Sequence, residues 1–428
     1  MIQLPGPWEW RPDQARILPT LLASEYYMLV WEMRTGKTWP AYMAMHALTR
    51  NRCLIVCPPK VMGVWKDAHE KLLGDDVFDL LSSGKLEPDY VTPMLNNKYD
   101  SIIIDEIHQY RYDSIRFRQL RRLTDRADRV FGLTGTPFDA DLAEIFRPWQ
   151  LLDGGKAFGR NEKVFRMKYC AFDESSNGTW EITPDGHDRI MKVVSPHMDR
   201  LSPHGLVKPE VVPVPYNLTR QQNEYYVALK AGHPLDFFNG ENVEFNKGVV
   251  REKQFQVCSG FLLWTEIWED DGEEITQSHV LEGIPTIKWG VLQRLLAKLD
   301  GSGVVWVRYV KEYELAKEAC IKAGLVVKKY SPKTLTDLNQ GRVDVLLAHP
   351  RSAGVGVDMS VASWAVFVSE TPSTIDQAQA RARLSLLGDT EKKTIYYLLA
   401  QESNTEEQHK NVQGKISYLE RFVQGGRR

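Results

Sequence analysis

The sequence predicts two α/β lobes in tandem, each a parallel sheet covered on both faces by helices, with a helical and hairpin insertion between them. Three observations lead there. Short apolar runs alternate with helix-length stretches over residues 1–150 and again over 286–428, the pattern of parallel sheets. The run Tyr27 to Trp31 feeds a tight loop and then an alanine-containing stretch, in the manner of a phosphate-binding loop. The run Ser101 to Ile104 delivers Asp105 and Glu106 at its C-terminal end, the edge where open α/β sheets bind ligands.

Composition narrows the classes. At 428 residues, 43% hydrophobic and 26% charged, the chain has room for two or three domains with substantial cores. Its 54 Lys and Arg against 56 Asp and Glu leave a net charge of −2, so nucleic-acid binding must use local patches rather than a global positive field. Five cysteines without a CxxC pair argue against zinc ribbons and disulfide scaffolds, and Cys53 and Cys57 read as small buried residues of a strand. The opening MIQLPGPWEW lacks the charged and apolar regions of a signal peptide, and no apolar run approaches membrane-spanning length. The expected location is the cytoplasm, that of the host if the chain is viral, with no membrane partner.

In chain order, Trp8 to Gln14 (WEWRPDQ) precedes a helix-like stretch, Ala15 to Ala23, and the first strand. The loop Trp31 to Thr38, WEMRTGKT, follows. Its GKT end carries the chemistry. Amides around Met33, Arg34, Thr35 and Gly36 donate to phosphate oxygens, Lys37 reaches the β and γ phosphates, and the Thr38 hydroxyl helps hold Mg²⁺. Five residues before Gly36 the full pattern calls for glycine, and Trp31 stands there, so a surface loop with a chance GKT is the alternative. The strand Cys53 to Cys57 stops at Pro58 and Pro59, and Val61 to Leu73 reads as a helix. Arg129 to Leu133 is a further strand, ending in Thr134, Gly135, Thr136 and Pro137.

The middle, Leu151 to Pro285, is less regular, with a proline-rich run from Ser202 to Pro215 and an Asp271-Gly272 turn that reads as a hairpin. Glu266, Glu269, Asp270, Asp271, Glu273 and Glu274 around that turn read as a solvated acidic rim. A second α/β unit begins near Thr286, with strands at Val304 to Val307, Val343 to Leu347 and Trp364 to Val368 and a closing helix from Thr405.

Taken together, the GKT loop, LIVCPP, DEIH (Asp105 to His108) and LTGTP resemble, in content and order, the motifs of a superfamily-two helicase-like ATPase. The resemblance is to the Swi/Snf branch. RPDQ at Arg11 to Gln14 resembles that branch's adenine-reading element, and CPPKVMGVW at Cys57 to Trp65 also matches it. So do the FG…F segment of Phe158, Gly159 and Phe165 and the Q…Y helix at Thr219 to Tyr226. Ser352 to Asp358 (SAGVGVD) resembles motif five, and Ile375 to Arg383 (IDQAQARAR) resembles motif six.

The resemblance implies two RecA-like lobes, an ATP-binding one over 1–150 and a second over 286–428, with 151–285 as the linking region. It implies ATP and Mg²⁺ as cofactors and hydrolysis coupled to translocation along double-stranded DNA. Protein partners are unknown. Asp105 would hold Mg²⁺ through water and Glu106 would orient and deprotonate the attacking water. His108, Thr134 and Thr136 would couple nucleotide state to lobe position, and Gly356 and Asp358 of motif five would face the nucleotide. Gln14 reads adenine in this scheme, with an ordinary helix-start glutamine as the alternative.

Motif six departs from the family. Members place arginines four and seven residues after the glutamine, and counting from Gln377 gives Arg381 and then Leu384, with Arg383 one residue early. One residue on a helix is about 100° of rotation. The reading adopted makes Arg383 the finger and Arg381 a brace, structural salt bridges for both being the alternative. Lys60 and Arg351 are the candidate nucleic-acid contacts. The arginines Arg111, Arg116, Arg118, Arg121, Arg122, Arg126 and Arg129 form either a further contact or a solvated helix face. A strand-separating or branch-migrating helicase, and an ATP-gated nucleic-acid-binding module with weak hydrolysis, stand as the alternatives in function.

Overall fold

The computed structural model describes residues 9–72, 77–139, 141–173, 179–202, 207–236, 242–270, 273–351, 358–385 and 391–425. The chain divides into two compact units. One comprises the described residues up to 202 together with those from Lys415 onward, and the other runs from Val207 to Gly414.

The first unit is built on six strands: β1 (Tyr26–Trp31), β2 (Arg52–Cys57), β3 (Phe78–Ser82), β4 (Tyr99–Asp105), β5 (Arg129–Thr134) and β6 (Met198–Leu201). They form one parallel sheet in the order β3-β2-β4-β5-β1-β6. The apolar runs bury both faces, since successive side chains on a strand point to opposite sides. Met28, Val30, Leu54, Val56, Ile102 and Ile104 enter one apolar cluster. Tyr27, Leu29, Trp31, Cys53, Ile55, Cys57 and Ile103 enter the other. Helices Pro12–Ala23, Thr38–Leu48 and Met62–Leu72 cover the second face through Ile17, Leu18, Leu21, Tyr42 and Trp65. Phe117, Leu120 and Trp149 cover the first, joined there by Tyr418 and Phe422 of helix Asn404–Val423.

The second unit repeats the plan with β7 (Glu210–Tyr216), β8 (Gly303–Trp306), β9 (Val327–Lys329), β10 (Val345–Ala348), β11 (Trp364–Phe367) and β12 (Thr394–Ala400). These form a parallel sheet in the order β9-β10-β8-β11-β12-β7. Helices Arg220–Ala231 and Lys247–Ser259 and an antiparallel hairpin, Leu262–Asp270 with Glu273–Leu281, pack on one another in the same unit. The hairpin is the one expected, and its turn at residues 271 and 272 lies outside the described residues.

The stretch 151–285, read from sequence as a linking region, is shared between the two units rather than standing apart. One edge strand of each sheet comes from it. β6 pairs with β1 from Met28↔Met198 to Trp31↔Leu201. β7 pairs with β12 from Thr394↔Glu210 to Ala400↔Tyr216, and it includes Pro213 and Pro215 of the proline-rich run. Two prolines two residues apart turn their N–H-less nitrogens the same way, which an edge strand accepts because that side has no neighbour. Among the described residues no helix is long and apolar enough to cross a membrane.

Candidate functional site

In the first unit the C-terminal ends of β1, β2, β4 and β5 place the sequence motifs along one edge of the sheet. After β1 the chain turns through Arg34 and Gly36, both with left-handed backbone (φ 65° and 76°), before helix Thr38–Leu48 begins. The Thr35 hydroxyl donates to the Glu32 carbonyl at 2.7 Å and closes the turn. A Cβ on Gly36 would stand 2.6 Å from Gln14 Nε2 and displace it, and the left-handed φ itself favours glycine. That nitrogen donates to the Gly36 carbonyl at 3.0 Å, while Gln14 Oε1 accepts the Arg11 amide at 3.1 Å. Gln14 is thus both a helix-start residue and a strut under the phosphate loop.

Trp31, where a glycine was expected, is the last residue of β1 and fully buried on the helix-covered face. Its indole donates to Asp199 Oδ2 at 2.7 Å, and Arg16 holds the same carboxylate at 2.9 and 2.7 Å. The loop therefore starts one step later, with Glu32 bonded through its amide to the Leu201 carbonyl.

Asp105 and Glu106 end β4. Asp105 Oδ1 accepts the Glu106 amide at 3.0 Å and Oδ2 accepts the Trp65 indole N–H at 2.9 Å. Burial, then the neighbouring Glu106 charge, push the Asp105 carboxyl up to about 6, against the pull of Lys37 and the two donors. Glu106 takes a left-handed backbone, φ 52° and ψ 49°, uncommon outside glycine and of the kind that collects at functional sites. His108 Nδ1 lies 3.2 Å from Glu106 Oε2 and 2.9 Å from Thr134 Oγ1, and Thr134 Oγ1 accepts the Thr136 amide at 3.0 Å. The loops after β4 and β5 are thereby linked through one imidazole. The Thr136 hydroxyl is buried with no hydrogen-bond partner among the described residues.

Among the described residues no group of three or more His, Cys, Asp or Glu could cage a metal ion. The donors at hand are the Asp105 carboxylate and, at the first position of its helix, the Thr38 hydroxyl. Few, hard oxygen ligands fit Mg²⁺, which keeps waters and shares phosphate oxygens. Lys60 sits exposed on the short helix Pro59–Val61 that follows β2 on the same sheet edge.

The arginines after His108 are largely engaged within the chain. Arg118 forks onto Asp113 at 2.8 and 3.0 Å, Arg121 lies 3.7 Å from Asp125, and Arg111 lies 3.4 Å from Asp139. Arg122 bonds Gln119 at 2.7 Å and Arg126 the Leu95 carbonyl at 3.0 Å.

In the second unit, Arg351 follows β10 and its Nε donates to Asp376 Oδ2 at 2.8 Å, in the first turn of helix Thr374–Ala382. Arg381 Nε donates to the Tyr397 hydroxyl at 2.7 Å with its guanidinium over that ring, and its Nη2 is buried with no hydrogen-bond partner among the described residues. Arg383 caps the helix and is 3% exposed, while Leu384 is fully buried in the core of this unit. The position where the family pattern puts an arginine thus faces apolar packing. Asp358 accepts the Ser360 amide at 2.9 Å, and Gly356 lies outside the described residues. Asp199, and the aim of Trp65 at Asp105, were not legible in the sequence: each contact spans a long sequence gap, and only the rule that a buried indole N–H needs an acceptor points to it.

The first of the two RecA-like lobes carries a GKT loop and a DEIH strand end, tied by histidine to the following Thr-Gly-Thr, and the chain is similar to superfamily-two helicase-like ATPases of the Swi/Snf type. It is 24% identical over 351 residues to the CHD3-type chromatin-remodeling factor PICKLE of Arabidopsis thaliana, spanning 77% of this chain and 24% of that protein. It is 26% identical over 186 residues to the SWI/SNF-related matrix-associated actin-dependent regulator of chromatin subfamily A-like protein 1 of Drosophila melanogaster, spanning 39% of this chain and 24% of that one. The chain therefore spans about a quarter of the length of these curated relatives. In fold it is similar to the Hef helicase domain of Pyrococcus furiosus, with a TM-score of 0.51 and 12% identity over 94% of this chain and 98% of the other. No family model matches the chain.

Proposed function

We propose that this chain is an ATP-driven motor of the cytoplasm that hydrolyses ATP to ADP and phosphate and moves along double-stranded DNA. The observation that carries the reading is the Glu106 carboxylate, held beside Asp105 by a left-handed backbone and faced by His108, which in turn reaches Thr134.

Amides of the Met33 to Thr38 loop and Lys37 bind the phosphates, and Gln14, bonded to the Gly36 carbonyl, reads the adenine. Mg²⁺, when bound with ATP, neutralises charge on the β and γ phosphates; Thr38 and Asp105 are the residues that would hold it. Glu106 orients a water in line with the γ-phosphorus and takes its proton. The water oxygen bonds to phosphorus as the bond to the bridging oxygen of ADP breaks, and ADP and phosphate leave. His108 senses the state of Glu106 and passes it to Thr134 and Thr136. From the second unit, Arg383 serves as the finger and Arg381 as the brace, with Asp358 facing the nucleotide. Lys60 and Arg351 grip nucleic-acid phosphates, which a near-neutral chain permits because backbone tracking needs few cations.

The test is steady-state ATPase activity against duplex, single-stranded and forked DNA and RNA. Duplex DNA should stimulate most, with an affinity that falls steeply with salt as counterions are released. Equal rates with and without every nucleic acid at low salt would overturn the reading. A second reading, an ATP-gated binding module with weak hydrolysis, draws on Leu384 in the core and Arg381 tied to Tyr397. It predicts nucleotide-dependent DNA affinity without appreciable turnover. Unwinding of a forked duplex separates translocation from strand separation.

A further inference from the structure

Val61, at the end of the short helix Pro59–Val61, and Trp65 and Ala68 of helix Met62–Leu72 turn inward, at 4%, 1% and 7% exposure. An indole in that position is ordinarily core, and its ring does pack there, with centroids 6.4 Å from Tyr42. Its N–H, however, ends on the Asp105 carboxylate, which feels the Lys37 charge, at 2.9 Å from Oδ2. With the Glu106 amide on Oδ1, two donors from two elements fix the plane of that carboxylate. Trp65 is also a short, stiff step from Lys60. The Val61 amide bonds the Pro58 carbonyl at 3.0 Å, the Met62 amide bonds the Pro59 carbonyl, and the helix begins at Met62 without a break.

We propose that Trp65 is a positioning residue, whose indole N–H sets the orientation of Asp105 toward the metal ion and ties that orientation to the Pro58 to Lys60 turn. The proposal rests on the reading of Asp105 as the carboxylate that holds Mg²⁺. A metal held by few protein oxygens depends on how those oxygens are aimed, and partners behind a ligand commonly govern metal affinity roughly ten- to a hundred-fold. A shift of the turn as Lys60 takes a phosphate moves the base of the same helix, and through Trp65 it reaches Asp105.

The experiment uses the full chain with Trp65→Phe, which removes the N–H and keeps an aromatic ring, and Trp65→His, which restores a ring N–H. Mn²⁺ affinity in the ADP complex is read from the free Mn²⁺ resonance, ADP affinity is measured in EDTA, and thermal melts establish folding. In Trp65→Phe, Mn²⁺ should bind about tenfold more weakly while ADP affinity in EDTA holds within about twofold, and Trp65→His should recover part of the loss. Stimulation by duplex DNA, measured at saturating metal, should fall in the same order. Trp65→Tyr serves if Trp65→Phe does not fold. A folded variant lacking the N–H with parental Mn²⁺ affinity overturns the proposal. Weakened Mn²⁺ binding with full stimulation overturns the link to the turn. A parent that binds no Mn²⁺ with ADP defeats the reading of Asp105 itself, a result separable from the others because it needs no variant.

Discussion

Replacing Glu312 by glutamine should cost the second unit about 3–5 kcal/mol, the size seen when one member of a buried ion pair is removed. Glu312 is fully buried and Lys288 is 2% exposed. Oε1 of Glu312 accepts from Lys288 Nζ at 3.3 Å, Ser259 at 2.8 Å and Ser369 at 2.5 Å. Oε2 accepts the amides of Arg308 and Tyr309 at 2.8 and 3.3 Å. Every neighbour is a donor, so the amide NH₂ of a glutamine must face donors on one side, and the Lys288 ammonium keeps its burial but loses its countercharge. With m of about 1–3 kcal/mol/M, the urea midpoint of this unit should fall by roughly 1–5 M.

The pH profile carries a sign. Burial raises the Glu312 pKa, but the Lys288 charge and the donors outweigh it and hold the carboxyl below its ordinary 4.5. Its contribution is therefore complete above about pH 4.5 and lost as pH falls through the lower folded value. That part of the acid sensitivity should vanish in Glu312→Gln. Urea titrations from pH 3 to 9 are the assay, and Lys288→Met/Glu312→Leu should regain most of the loss. A single-variant cost below about 1 kcal/mol would refute the reasoning, since it would mean that the pair is not a buried charge pair at all.

Further outcomes concern the nucleotide edge. Lys37→Ala should abolish hydrolysis, whereas Glu106→Gln should retain Mg·ATP binding and lose turnover; parental rates in Glu106→Gln would remove it from the chemistry. Arg383→Ala should lower DNA-stimulated turnover by roughly 10³ to 10⁵ with little change in nucleotide affinity, and the reverse pattern with Arg381→Ala would exchange their roles. Gly36→Ala should weaken nucleotide binding by displacing Gln14, a loss measurable by titration with a fluorescent nucleotide analogue.

Both sheets were legible because parallel strands buried on two faces leave uninterrupted apolar runs, as at Cys53 to Cys57 and Ser101 to Ile104. The carboxylates at the end of β4 were legible for the same reason: the run stops where the ligand edge begins. β7 was not, because prolines at 213 and 215 read as irregular chain until the neighbour on one side is known to be missing. The short strands β6 and β9, four and three residues long, carry too little pattern to stand out. Trp65 gave no local signal, since its aim at Asp105 follows from the pairing of β2 with β4 rather than from spacing. The irregular motif six was visible in the spacing, but its cause, Leu384 turned into the core, needed the packing.

Trp31 carries a warning for anyone redesigning this chain. Aligned with the phosphate-loop pattern, it is the obvious residue to restore to glycine, and a consensus-guided improvement would begin there. The strand end it occupies has been rebuilt around the indole: the ring fills the space between β1 and the first helices, and its nitrogen shares Asp199 with Arg16. Trp31→Gly would open a cavity worth about 3–5 kcal/mol or more and unpin the edge strand β6 from the loop it steadies. Here the family average is a poorer guide than the neighbours, and loosening this residue would require re-engineering residues 16 and 199 with it.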